Sequence, residues 1–173
     1  LKRFTNLKTS INITGGEPLL KENIVELITF ITQQGFTDIS MTTNGFLIDK
    51  IMAKEIAESG LNMISLSLDS INEDIHDNVR GMKGVCRKVM AALDYFESYK
   101  GALKKIGIQT IIMGPNLNSI LDLTEWAAKN KISIYFMAIA EPLCLSLGVN
   151  WHIDSEYKYL WPKDTKKLNE VIG

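Results

Sequence analysis

The strongest constraint in this sequence is a hydrophobic period that changes back and forth along the chain. Short apolar runs alternate with stretches whose apolar residues return every three or four positions, from Ser10 to Ala140. Ser10–Thr14, Ile39–Thr43, Met63–Leu68, Ile106–Met113 and Ile132–Ala140 read as strands. Between the first two, Ile24, Leu27, Ile28 and Ile31 mark one face of a helix over Glu22–Gln34, stopped at Gly35. Asp49 can cap a helix that turns Ile51, Met52, Ile56 and Ala57 inward and ends at Gly60. A longer helical region carries Val85, Val89, Leu93 and Phe96 on one stripe, and Asn118 opens a helix with Ile120, Leu123 and Ala127. This order, β-α-β-α-β-α-β-α-β, is the rhythm of parallel βαβ units joined by right-handed crossovers. Strands are expected near residues 10–14, 38–43, 62–68, 106–112 and 132–139, all parallel and neighbours in sequence order. Periodicity leaves both an open doubly wound sheet and an arc of a (β/α) barrel standing. Either way, function belongs at the carboxyl ends of the strands, where the βα loops gather.

Composition narrows the field of functions. With 173 residues, 46% of them hydrophobic and 23% charged, the chain can bury a core of its own. A formal net charge of −1 gives no reason to expect nucleic acid or an acidic membrane as a partner. No run approaches the ~18 apolar residues of a membrane span, and no secretory signal opens the sequence. Two scattered cysteines, Cys86 and Cys144, fit reduced thiols in the cytoplasm better than a disulfide framework. Leu1 and Phe4 at one end, and Leu168, Val171 and Ile172 at the other, have helical spacing, so the chain reads as a piece of a longer protein.

Three polar clusters fall at the ends of three successive strands. They are Gly15-Gly16-Glu17-Pro18, Thr42-Thr43-Asn44-Gly45 and Ser67-Leu68-Asp69-Ser70. In a parallel sheet these ends are neighbours. Paired glycines let a ligand approach the backbone, a carboxylate suits an ammonium group, and hydroxyls and amides suit a carboxylate or a ribose. Taken singly, Gly15-Gly16 and Asn44-Gly45 are explained by turn chemistry. Taken together they describe a pocket for a small zwitterionic or sugar-bearing ligand.

The ordered set Ile13-Thr14-Gly15-Gly16-Glu17-Pro18-Leu19-Leu20, Thr42-Thr43-Asn44-Gly45 and Ser65-Leu66-Ser67-Leu68-Asp69 resembles the radical S-adenosylmethionine (SAM) superfamily. It is most similar to the branch with molybdenum-cofactor biosynthesis protein A and the peptide-modifying maturases, which His76-Asp77-Asn78-Val79-Arg80-Gly81 also resembles. The resemblance implies an α/β fold, a partial (β/α)6 TIM-like barrel whose strands two to six are present as a parallel sheet covered by helices. It implies a radical SAM core over residues 1–142, incomplete at its start, then a loop and terminal helix, 143–173, covering or extending the barrel. Gly15, Gly16, Glu17 and Pro18 would hold the methionine amino group, and Thr42 or Thr43 with Asn44 the methionine or ribose. Ser67 would reach the carboxylate or ribose, with Asp69 supporting its loop, and Ala140 would flank adenine. Arg80 has two readings, a partner of the SAM carboxylate or a surface salt bridge. The implied activity is reductive cleavage of SAM to a 5′-deoxyadenosyl radical that abstracts hydrogen from a small-molecule or peptide substrate. An electron donor for the cluster would be a further partner.

The sequence departs from that family at one point. Family members hold a [4Fe–4S] cluster through Cys-x3-Cys-x2-Cys after the first strand, and no such triplet exists here. The simplest expectation is that the first βα unit is absent or disordered and the ligands lie outside this chain; a degenerate homologue is the alternative. Two other functions stay open, a non-catalytic SAM- or nucleoside-binding module and an unrelated barrel enzyme using Glu17 and Asp69 as an acid/base pair. His76 and His152 lack a second ligand at metal spacing and read as structural or surface residues. Met113 and Met137 read as core filler. The connection Leu143–Pro162, with Trp151, Tyr157, Tyr159 and Trp161, is expected to fold over the open mouth as a lid.

Overall fold

A computed structural model describes residues 9–140 and 156–172. Five strands form one sheet in the order β1-β2-β3-β4-β5: β1 (Ile11–Ile13), β2 (Ile39–Thr43), β3 (Met63–Ser67), β4 (Lys105–Ile112) and β5 (Ser133–Ala138). Helices flank it: α1 (Ile24–Gln33), α2 (Lys50–Glu58), α3 (Glu73–Arg80), α4 (Val85–Glu97), α5 (Ile120–Lys129) and α6 (Thr165–Ile172). The five-strand parallel α/β reading of the sequence is thus what the chain adopts. The chain divides into two compact units, Leu1–Ser67 with Arg87–Ile108, and Leu68–Cys86 with Gln109–Gly173.

In the first unit, β1 and β2 pair in parallel with Ile13 opposite Met41, and β2 and β3 pair in parallel with Thr43 opposite Leu66. Along β2 burial alternates, with Ile39, Met41 and Thr43 turned inward. Along β3 the consecutive Ile64, Ser65 and Leu66 are all buried, as in a strand covered on both faces. The Asn62 side chain seats the start of β2 by accepting from the Ile39 amide at 2.8 Å. Asp49 caps α2 as its sequence suggests, its carboxylate accepting from the Met52 amide at 2.8 Å. Ile28, Ile56, Leu61, Val89 and Phe96 complete a core that excludes water.

The second unit holds a helix that periodicity alone merges with its successor. Helix α3 is capped by Asn72, whose side chain accepts from the amides of Asp74 and Ile75, and it ends at Gly81. The Asp77 carboxylate then takes the amides of Gly84 and Cys86, so α4 starts afresh rather than continuing α3. Asn72-Glu73-Asp74 followed by Gly81 is a start and a stop that the sequence does contain. Helix α5 begins after a 3-10 turn at Leu117–Ser119, and Asn116 rather than Asn118 makes the decisive bonds there. Met113 is buried, but Met137 is 43% exposed, with Tyr135 and Phe136, because β5 is the last strand of the sheet. The expected lid, Leu143–Pro162, lies outside the described residues as far as residue 155. Its last part forms a 3-10 turn (Lys158–Leu160), and the Gly114 amide donates to the Leu160 carbonyl at 2.7 Å.

Candidate functional site

The carboxyl ends of β1 and β2 are tied together by one side chain. The Glu17 carboxylate accepts from the Leu19 amide at 3.0 Å and the Asn44 amide at 2.7 Å, and from the Thr43 hydroxyl. Pro18 is buried as the first residue of a 3-10 turn, Pro18–Leu20, so the chain turns sharply out of the motif. Gly15 and Gly16 precede it with exposed backbone, and among the described residues nothing beyond their chain neighbours lies within 4 Å of where a side chain would begin. In the next loop the Thr43 hydroxyl accepts from the Gly45 amide at 3.1 Å, and the Asn44 side chain accepts from the Phe46 amide at 2.9 Å. Gly45 has φ +73°, and a side chain there would meet Leu66 and Val89 at 3.3 Å, so only glycine lets this turn lie down on the core. Ser67 directly follows the residue paired with Thr43, which sets it level with Asn44. Thr42 alternates with Thr43 and is half-buried. Glu17, Thr43 and Asn44 are joined directly, and Ser67 ends the adjacent strand.

The second unit holds a polar core around Asp69, which is fully buried. One Asp69 oxygen accepts from the Ile111 amide at 3.0 Å; the other lies 2.8 Å from Arg80 Nε, an ion pair at contact distance. The Asp69 amide donates to His76 Nδ1 at 3.0 Å, and its carbonyl accepts from the Asn116 side chain at 2.8 Å. Asn116 also accepts from the Met113 amide and donates to the Ile111 carbonyl, while Ser70 and Ser119 share a hydrogen bond at 3.0 Å. Arg80 is therefore no free surface residue; it is held at a buried carboxylate.

His76 is completely buried. Burial above all, helped by the Arg80 charge and opposed by Asp69 and Asp77, holds its pKa down at about 4. The imidazole is neutral at pH 7, and this is why Nδ1 can accept the Asp69 amide. Cys86 is buried, its thiol pushed up to about 11 by burial and by the Asp77 and Glu73 carboxylates. Such a thiol is a poor metal ligand. Among the described residues no three His, Cys, Asp or Glu side chains stand together to hold a metal ion.

Ala140 is exposed just past β5. A cavity of about 580 Å³ opens on the helical side of the first unit, lined by Leu20, Ile24, Phe30 and Met52 and, among the described residues, by none of the candidate ligand-binding ones. Residues that sequence reading missed are Asn116 and the buried form of His76. Asn116 carries no motif signal, since the partner that ties it into this core, Asp69, is 47 positions away.

Comparison with known proteins places the chain in a family. The family model described as the Radical SAM superfamily matches residues 1–127. A GTP 3′,8-cyclase of Rippkaea orientalis is 32% identical over 147 residues, covering 84% of this chain and 39% of that protein. One from Clostridium perfringens is 36% identical over 132 residues, covering 75% and 39%. The chain spans about two fifths of the length of these curated relatives. Among solved structures, native anSMEcpe with bound AdoMet and the Kp18Cys peptide has a TM-score of 0.68 at 24% identity, covering 94% of this chain and 45% of that chain. Streptococcus suis SuiB bound to S-adenosylmethionine has 0.67 at 21%, covering 94% and 35%. These likenesses are of fold.

Proposed function

Since the chain belongs to the Radical SAM superfamily, we propose that it is the SAM-binding core of an enzyme that cleaves SAM reductively to a 5′-deoxyadenosyl radical and so abstracts hydrogen from a substrate. The observation that best supports this reading is the placing of the first two motifs. The loops after β1 and β2 lie side by side at the carboxyl ends of parallel strands, joined through Glu17, with Ser67 at the end of the next strand. The open backbone of Gly15 and Gly16 beside hydroxyl and amide groups fits a small ligand with an ammonium and a carboxylate. In this reading the Gly15–Pro18 loop receives the methionine ammonium, and Thr42, Thr43 and Asn44 the methionine or ribose. Ser67 takes the carboxylate or ribose, supported by the loop of Asp69; Arg80 is a second candidate for the carboxylate, and Ala140 would lie beside adenine.

The superfamily's [4Fe–4S] cluster does not fit the residues present. Two cysteines cannot supply three thiolates, and the described one is buried and protonated. Superfamily membership sets aside the unrelated acid/base barrel enzyme. The free thiol of Cys86 supports a reducing, cytoplasmic setting, and no helix among the described residues is long and apolar enough to cross a membrane.

The test uses the full-length gene product, purified without oxygen and given SAM and a reductant. Release of 5′-deoxyadenosine is expected. A protein that does not bind SAM refutes the reading, and one that binds but does not cleave it is the non-catalytic module. GTP is the first substrate to try, following the names of the cyclase relatives, and a peptide the second, following the maturase complexes. The electron donor is the remaining partner.

A further inference from the structure

We infer that Glu17 is a positioning residue, which sets the spacing of two ligand loops and does not itself meet the ligand. The inference rests on the SAM reading for the ligand's identity, but its geometry does not. An ionised carboxylate has about four acceptor sites. Three are taken: Oε1 receives the Leu19 amide at 3.0 Å and the Thr43 hydroxyl, and Oε2 receives the Asn44 amide at 2.7 Å. These donors lie on two different loops, so one side chain fixes the loop after β1 against the loop after β2. Hydrogen bonds to an ionised acceptor are short and about twice as strong as neutral ones. One acceptor site is left, so an ammonium could reach this carboxylate only beside the donors it already holds. The glycine pair, by contrast, has exposed backbone with nothing among the described residues, chain neighbours aside, within 4 Å of either Cβ position. The groups open to a ligand are thus on the loops, and Glu17 keeps the loops in register. Loss of Glu17 should weaken any ligand that spans both loops, whether or not it carries an ammonium group.

The deciding experiment is calorimetry on the full-length protein with SAM and with the SAM analogue lacking the α-amino group. Glu17→Gln keeps the shape but puts a donor where one acceptor stood. Its affinity should fall about tenfold, by the same factor for both ligands. Thr43→Val, which removes the hydroxyl that bridges Glu17 and the Gly45 amide, should show a smaller loss of the same kind. Gly60→Ala separates positioning from mere stability. A side chain there would meet Thr32 Oγ1 at 2.5 Å, away from both loops, so this variant should be less stable yet keep its affinity below its melting range. A loss confined to SAM would mean that Glu17 touches the ammonium, and would overturn the inference. Unchanged affinity for both ligands would overturn it too. If the wild type binds neither ligand, the SAM reading fails, and amide exchange still decides the tie. Faster exchange at Leu19 and Asn44 in Glu17→Gln supports the tie, and unchanged exchange refutes it.

Discussion

Acid should destabilise this fold through His76, by an amount that the structure sets. The imidazole is completely buried, and its pKa in the folded chain is about 4 against 6.5 for an unburied histidine. Its pKa is lowered on folding, so below pH 6.5 the unfolded chain binds a proton that the folded chain refuses. Stability from this residue is complete above pH 6.5, is lost as pH falls, and reaches its floor below pH 4. Between pH 7.5 and 5.0 the two pKa values correspond to a loss of about 2 kcal/mol. His76→Asn keeps an acceptor oxygen near the position of Nδ1, so the Asp69 amide retains a partner, but it does not titrate. The measurement is urea unfolding of wild type and variant at both pH values. His76→Asn should be less stable at pH 7.5, by about 1–3 kcal/mol. On acidification the wild type should lose about 2 kcal/mol more than the variant. His152 and the carboxylates other than Asp69 and Asp77 are common to both proteins and cancel, while the coupling of Asp69 and Asp77 is part of the His76 shift itself. Parallel losses would refute the reasoning, as would a proton NMR titration of His76 centred near pH 6.5.

Other consequences follow from single contacts. Arg80→Ala should destabilise by about 2–3 kcal/mol in urea unfolding, since it leaves the buried Asp69 carboxylate without its ion pair; Arg80 is 26% exposed, which holds the loss below that of a fully buried pair. Asp69→Asn should cost less than Arg80→Ala, because Asn can still accept the Ile111 amide and the arginine regains solvent; the reverse order would contradict the ion pair. Gly60→Ala should lower stability by about 1–3 kcal/mol, because φ is +94° and a side chain would sit 2.6 Å from Thr32 Cγ2; an unchanged melting temperature would contradict that packing. The 173-residue chain by itself, incubated anaerobically with iron and sulfide, should show no [4Fe–4S] absorption, because it has only two cysteines. A stoichiometric cluster would show that Cys86 and Cys144 had been misread.

The strands and most helix ends were legible in the sequence, because both depend on neighbours a few residues apart. Apolar spacing marked the strands, and Asp49 and Gly35 sit where local hydrogen bonding and backbone freedom demand them. The boundary between α3 and α4 was missed, because the apolar stripe from Val85 to Phe96 stood out over the weaker signals of Asn72 and Gly81. The motif loops could be put at the strand ends from their position alone. What each side chain does there could not be read, since hydrogen-bond partners are chosen by folding. Glu17 finds Asn44 across 27 positions, and Asn116 finds Asp69 across 47. Arg80 is the clearest case: its sequence allowed a ligand contact or a surface ion pair, and only the fold set it against a buried carboxylate. Local periodicity thus determined the order of parallel units and where a site must lie. Tertiary structure alone decided which polar groups were spent holding the loops and which were left open, because burial makes every unpaired donor costly and forces distant partners together.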